Sequence, residues 1–197
     1  MNLDRYLIQE GNAYRLLPIE NPTPGNDFVN TDIMYDNLLN NFHFRGLSDK
    51  NAYFNEDYRN FVLNHRSSFN TLAEALLNEG KIEKAREVLL KSIKIMPDEA
   101  IPYDYSATKL VDALFNVKEE VKAVEIAEII AERADEVLAY YIENEIQLGF
   151  ERQKNLIILQ ELSRILTRFG KNDLAKKYNE LLQEHYSKLQ VYDTGNR

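Results

Sequence analysis

Asp32, Asp36 and His43 fall within one short run, NTDIMYDNLLNNFHFRGL (residues 30–47), in a chain of 197 residues with only three histidines. Carboxylates four residues apart stand one above the other on a helix. With an imidazole nearby they could share a divalent cation or work as an acid/base pair. Helical phase favours another use. At 100° per residue, Met34, Tyr35, Leu38, Leu39 and Phe42 form one apolar arc, and Asp32, Asp36, Asn37, Asn40 and Asn41 take the rest. A hard cation needs more oxygens than two aspartates supply, and His43 lies past the end of the polar row. The run predicts a docking helix over about 31–42, capped by Asn30 or Thr31, with Asp32 complementing the dipole in its first turn. Structural docking, partner contact and an enzyme using Asp32, Asp36 and His43 stay open as readings.

The other chemistry-bearing residues are sparse. His65 and His185 have neither an HExxH partner nor a serine arranged as in a triad, and read as surface or satisfied helix residues. No GxGxxG or GxxxxGK string occurs, and there are no cysteines, so phosphate-cradling loops, thiolate zinc sites and cysteine nucleophiles drop out. No catalytic residue, metal site or cofactor is assigned. Tyr103, Tyr105, Tyr140 and Tyr141 could stack on sugar rings or simply pack. A net charge of -8 argues against nucleic acid. The charge is uneven: residues 118–145 hold nine acids against three bases, and residues 151–197 nine bases against six acids. Solvated helix faces or a charge-steered partner would each account for that.

The elements that must position these residues are helical. Residues 12–19 read as a short extended segment and NPTPGND (21–27) as a loop. From Asn55 the pattern is helical, interrupted mainly at Pro97, Pro102 and Gly170, so the expected fold class is all-α. Two parts are expected, residues 1–54 and 55–197, and an exposed patch at Tyr6, Leu7 and Ile8 would point to a further neighbour for the first. The start lacks a basic and an apolar region of a secretory signal, and no apolar run approaches the roughly 20 residues that cross a bilayer, so no direct membrane insertion is expected.

The second part repeats. Phe69, Leu72, Ala73, Leu76, Gly80, Ala85, Leu89, Ser92 and Pro97 follow the bulky, small, Gly, Pro spacing of the tetratricopeptide repeat, which this stretch resembles. Small residues let two antiparallel helices approach, the glycine closes the turn and the proline stops the second helix. A second unit has Ala107, Leu110, Val111, Leu114 and Ala123, with Lys118 where the turn glycine belongs. A third restores the pattern with Leu159, Leu162, Ser163, Leu166, Gly170, Ala175 and Leu182. The units, about 66–97, 104–133 and 156–186, are unevenly spaced, leaving room for an extra or extended helix over residues 134–150. An α-α superhelix of tetratricopeptide-like pairs is expected.

In such arrays the first helix of each unit lines a concave groove. The positions that do not pack on the second helix are Asn70, Glu74 and Asn78, then Thr108, Asp112 and Asn116, then Gln160, Arg164 and Arg168, each trio spaced i, i+4, i+8; Tyr105 adjoins the second. Asparagine amides can bond a peptide backbone and arginine forks a carboxylate. These are candidate groove residues for a protein or peptide, or else solvent-facing sides of amphipathic helices.

Longer strings carry a closer resemblance. YLIQEGNAYRLLPI, TDIMYDNLLNNFHFRGL, RSSFNTLAEALLNEGKIEKAREVL, PYDY and LQEL occur in the order found in the C-terminal soluble region of large bacterial multi-pass membrane proteins, formerly a domain of unknown function and now grouped with membrane glycosyltransferases of the protein O-mannosyltransferase kind. That resemblance implies a non-catalytic region on the periplasmic face, Met1 as a truncation point, and chemistry in a membrane-embedded part of the same polypeptide. A free-standing cytoplasmic adaptor using the same groove is the alternative.

Overall fold

The chain begins with a hairpin and continues almost wholly as helix. The structure, a computed structural model, describes residues 3–21, 28–146 and 149–195, so the loop expected at 21–27 lies, from residue 22 on, outside the described residues. A single turn at Asp4–Tyr6 leads into β1 (Leu7–Gln9), which pairs antiparallel with β2 (Tyr14–Leu16). The helices are α1 (Thr31–Asp36, continued by a wide π turn Asn37–Asn41), α2 (Glu56–Asn78), α3 (Ile82–Ile95), α4 (Ala107–Asn116), α5 (Glu120–Glu143), α6 (Gly149–Arg168) and α7 (Asn172–Gly195). The extended segment expected at 12–19 is β2; its partner strand was not anticipated. Of the helix room left at 134–150, α5 takes residues 134–143.

Helix ends are built alike. At α2 the Gly80 N–H donates to Leu77 O (2.9 Å) and the Lys81 N–H to Leu76 O (2.8 Å); at α6 the Gly170 N–H donates to Thr167 O (3.1 Å) and the Lys171 N–H to Leu166 O (2.8 Å). Both glycines are left-handed, φ +74° and +73°, the conformation that lets orphan carbonyls of the last turn find N–H groups. Lys118 takes the same conformation (φ +64°) where the sequence lacks the glycine, and Glu145 (φ +56°) ends α5 with the Ile146 N–H on Tyr141 O (3.0 Å). The turns therefore survive without glycine, at a steric cost that a side chain carries in this region.

The chain divides into two compact units, and not at residue 54: the first holds residues up to Pro102 with Asn116–Glu119, the second Tyr103–Phe115 with residues from Glu120 onward. In the first, α3 folds back on α2, and Phe69, Leu72, Ala73, Leu76, Ala85 and Leu89 are fully buried between them with Met34 and Leu38 of the docking helix region. The N-terminal segment packs on α2 from another side: Gln9 is buried, its side chain donating to Gly11 O (2.9 Å) and lying 3.5 Å from Ser68 Oγ, and Tyr6, Leu7 and Ile8 are half-buried. Arg66, 1% exposed, donates to the carbonyls of Met96 (3.2 Å), Ile101 (2.7 Å) and Pro102 (3.2 Å). Arg86 holds Asn116–Glu119 to this unit through Val117 O (2.9 Å) and Glu119 (3.6 Å).

In the second unit, side-chain contacts between helices set their register. Lys171 reaches Glu120 (2.7 Å) near the starts of α7 and α5, and His185 reaches Asp135 (2.6 Å) farther along both, so α5 and α7 run parallel in step. On the other side Arg168 pairs with Asp112, and Phe169 stacks on Phe115 at 4.7 Å and 13°, which joins the C-terminal end of α6 to that of α4. Ala123, Ala127, Ala131 and Ala134 make one side of α5 small and fully buried or nearly so.

Replacing Lys118 by glycine is expected to raise stability by roughly 0.5–1 kcal/mol, because it removes the left-handed strain at more than the entropic cost of glycine. Replacing Gly80 by alanine should lower stability by about 1 kcal/mol. Thermal unfolding followed by circular dichroism measures both; a Lys118→Gly chain that melts lower than the parent contradicts the account of these turns.

Candidate functional site

The Asp32, Asp36 and His43 run is drawn apart by its surroundings. Asn30 caps α1, its side chain accepting from the Ile33 N–H (3.2 Å). Asp32 then meets Lys81 (3.4 Å) and Lys84 (3.7 Å), while Thr31 donates to the Glu79 carboxylate (3.0 Å). One turn on, Tyr35 donates to Glu87 with the Lys84 ammonium over its ring at 4.9 Å, and Lys91 donates to Leu39 O. Successive turns of the docking helix are thus fastened to successive turns of α3. Glu87's acceptance of the hydroxyl, with burial and the carboxylate charge, pushes the Tyr35 phenol up to about 12.

Asp36 does something else. Its two oxygens accept from Asn40 (2.8 Å) and Asn41 (2.9 Å), which holds its carboxyl below the usual carboxylate range. Side chains five apart adjoin each other where the helix widens, and here Phe42 N–H donates to Asn37 O (2.8 Å), closing the π turn. The expected helix over 31–42 is present in extent but widened at its end. Among the described residues no group of three or more His, Cys, Asp or Glu could hold a metal ion.

Of the candidate groove residues, the structure places two inside. Asn70 is 6% and Thr108 4% exposed, so neither heads an open ladder. Asn70 sits at the middle of α2, where α3 and the N-terminal segment together leave little free perimeter and Ser68, Phe69 and Asn70 are buried in succession. Thr108 turns its hydroxyl onto Tyr105 O (2.9 Å) in the first turn of α4. Glu74, Asn78, Asn116, Tyr105, Gln160, Arg164 and Arg168 are exposed and Asp112 half-exposed. Arg168 is joined to Asp112 between helices; Arg164 is bound to Glu161 on its own helix (2.6 Å). Of the tyrosines proposed for stacking, Tyr103 is buried and Tyr140 and Tyr141 lean on each other at 6.1 Å. His185 is buried and satisfied at Nε2 by Asp135.

A cleft of about 600 Å³ in the first unit was not expected from the sequence. Phe42, Phe44 and Leu47 supply its apolar wall, His43, Arg45 and His65 its basic groups, and Asn12 and Asn41 its amides. Phe44 is fixed edge-on to His65 (5.8 Å) and against Phe69 (5.5 Å). Gly11 allows the close seating of Phe42: a Cβ there would lie 2.9 Å from the ring. Burial pushes the His65 imidazole below its ordinary value, keeping it neutral at pH 7. The signal was FHFR, residues 42–45, in which half-buried Phe42 and Phe44 alternate with exposed His43 and Arg45.

No family model, curated protein or solved structure matches this chain.

Because the folded Tyr35 phenol titrates near 12 and an unbonded one near 10, its bond to Glu87 stabilises the fold fully below pH 10 and is lost as pH rises from 10 to 12. A Tyr35→Phe chain should therefore be less stable than the parent at pH 8, with the gap closing toward pH 12. Urea titrations across that range measure it; a gap independent of pH contradicts the assignment.

Proposed function

We propose that this chain is a non-catalytic recognition or scaffold module, with tetratricopeptide-like helix pairs, that holds an extended segment of another protein by its carboxylates. The observation that carries the reading is that α5 runs beside α7 and the end of α4 meets the end of α6, at Glu120–Lys171, Asp135–His185, Asp112–Arg168 and Phe115–Phe169. Stacking equivalent helices is what turns repeated pairs into a continuous face. On that face Gln160 and Arg164 are exposed, and Tyr105 opens α4.

Magnitudes separate the two arginines. An exposed pair on one helix, such as Arg164–Glu161, is worth about 0.3–0.5 kcal/mol and exchanges readily for a better carboxylate. Arg168 is a brace between helices, and its loss would leave Asp112 without that partner. Arg164, with the Gln160 amide one turn earlier, is the residue suited to an incoming acidic side chain.

The strings that resemble the C-terminal region of membrane glycosyltransferases support placing this module beside such an enzyme, on the periplasmic face, where it would engage acceptor protein or the membrane-embedded part of the same polypeptide. No helix of the described residues is long and apolar enough to cross a membrane. On this reading the in-frame DNA upstream of Met1 encodes a series of apolar segments. A ribosome-binding site directly before Met1, with no such frame, would instead assign the same surface to a free-standing adaptor.

For the surface itself, fluorescence anisotropy with a labelled, extended Asp- and Glu-rich peptide is the test. Arg164→Glu should weaken binding roughly tenfold or more, the loss of a charge-assisted bond pair, with the melting temperature unchanged. Arg168→Glu should lower the melting temperature as well, since it sets a carboxylate against Asp112. Equal affinity for parent and Arg164→Glu rejects the surface.

A further inference from the structure

We propose that the cleft beside Phe44 in the first unit is a second, independent binding site, one that takes the C-terminal end of a polypeptide whose last residue is apolar. It shares no residue with the α4 and α6 face, and it would stand if that face proved idle.

Arg45 and His43 line the cleft, and Lys94 lines an adjoining one of about 490 Å³ on the far side of Phe44, with Leu90 and Ile95. Neither cleft has an acidic residue in its lining. Several cations elsewhere are already engaged. Arg15, Lys81, Arg86, Arg164, Lys171 and Lys188 are each held by a carboxylate within 3.5 Å. In a chain of net charge -8, Arg45 and Lys94 have no ion-pair partner among the described residues. A guanidinium left open beside an apolar wall fits an anion attached to an apolar body.

The kind of anion follows from the donors. His65 is half-buried and its imidazole is pushed below its ordinary value, so the one permanent charge of the main cleft is that of Arg45. One planar fork matches one carboxylate; a dianionic phosphate would call for further cations in the same cleft. The apolar part is set by Phe42, Phe44 and Leu47, held rigid by Gly11 behind Phe42 and by Phe69 behind Phe44. The volume of about 600 Å³ is that of a small-ligand pocket, room for two or three residues and no more. Asn12 and the carbonyl oxygen of Asn41 remain to bond the last peptide groups, the Asn41 amide nitrogen being occupied by Asp36 and Asn37. A free carboxylate, one apolar side chain and one or two peptide groups are what a chain end offers.

The test uses the full chain and labelled hexapeptides ending in leucine, one with a free carboxylate and one amidated. The acid should bind at least tenfold more tightly than the amide. Arg45→Ala should abolish that preference, Arg45→Lys should restore part of it, and Arg164→Ala should leave it unchanged. Arg45 is exposed, and the circular dichroism of its variants should match the parent. Equal binding of acid and amide, or a preference untouched by Arg45→Ala, overturns the proposal. Displacement of the peptide by acetate as effectively as by unlabelled acid peptide also overturns it, because the site would then take small carboxylates without reading a chain end. A preference lost in Arg164→Ala and kept in Arg45→Ala would assign the carboxylate to the α6 face instead.

Discussion

A guanidinium withdrawn from water must be met by acceptors, and Arg66 is met by the main-chain carbonyls of Met96, Ile101 and Pro102. Burying an ion costs several kcal/mol unless such bonds are in place. The same carbonyls belong to the end of α3 and the turn beyond it, where helix geometry leaves acceptors without intrahelical donors. One side chain of α2 therefore answers the orphan groups of α3, and the two needs are satisfied only in one relative placement of the helices. Apolar packing of Leu72, Leu76 and Leu89 tolerates small slides; three bonds to one planar group do not.

With α3 placed, the docking helix follows. Met34 and Leu38 are fully buried, and each contributes on the order of 1.5–3 kcal/mol by leaving water. The polar contacts of Thr31 with Glu79 at the end of α2, and of Asp32, Tyr35 and Leu39 O along α3, are mostly exposed and individually weak. Their spacing matters more than their strength. A docking helix displaced by one turn along α3 would keep most of its apolar contact and lose all of these bonds together, so the polar row selects the register that the apolar arc leaves open. In the second unit Glu120–Lys171 and Asp135–His185 act on α5 and α7 in the same way.

Much of this was legible because packing leaves residue types at fixed intervals. Phe69, Leu72, Ala73, Leu76, Ala85, Leu89 and Ser92 were recognisable by size and spacing, and all are buried. Gly80 and Gly170 marked their turns because a left-handed residue is cheapest as glycine. Lys118 and Glu145 occupy the same conformation without that mark, since the helix-end bonds and the packed helices on either side impose it. Asn70 and Thr108 misled for a related reason. Their type says surface, but burial depends on how many neighbours a helix has, and α2 is covered from two sides. The hairpin partner Leu7–Gln9 was missed because three residues are too short to show an alternating period.

The run that first invites a catalytic reading illustrates how period decides use. As far as Asn41 its residues repeat at helical intervals, which send Asp32 to α3 and leave Asp36 to gather its own asparagines. At Phe42 the chain leaves the helix with φ -82° and ψ 141°, an extended conformation with a period of two. Phe42 and Phe44 then meet edge to edge at 6.4 Å, with His43 and Arg45 exposed beside them. Two acids and a histidine that are close in sequence are thus given different partners by a change of backbone period. The same change leaves a basic, amide-rimmed edge over an aromatic wall, a combination with recognition chemistry of its own. It arises where the docking helix stops, and it depends on the π turn that Asp36 holds open.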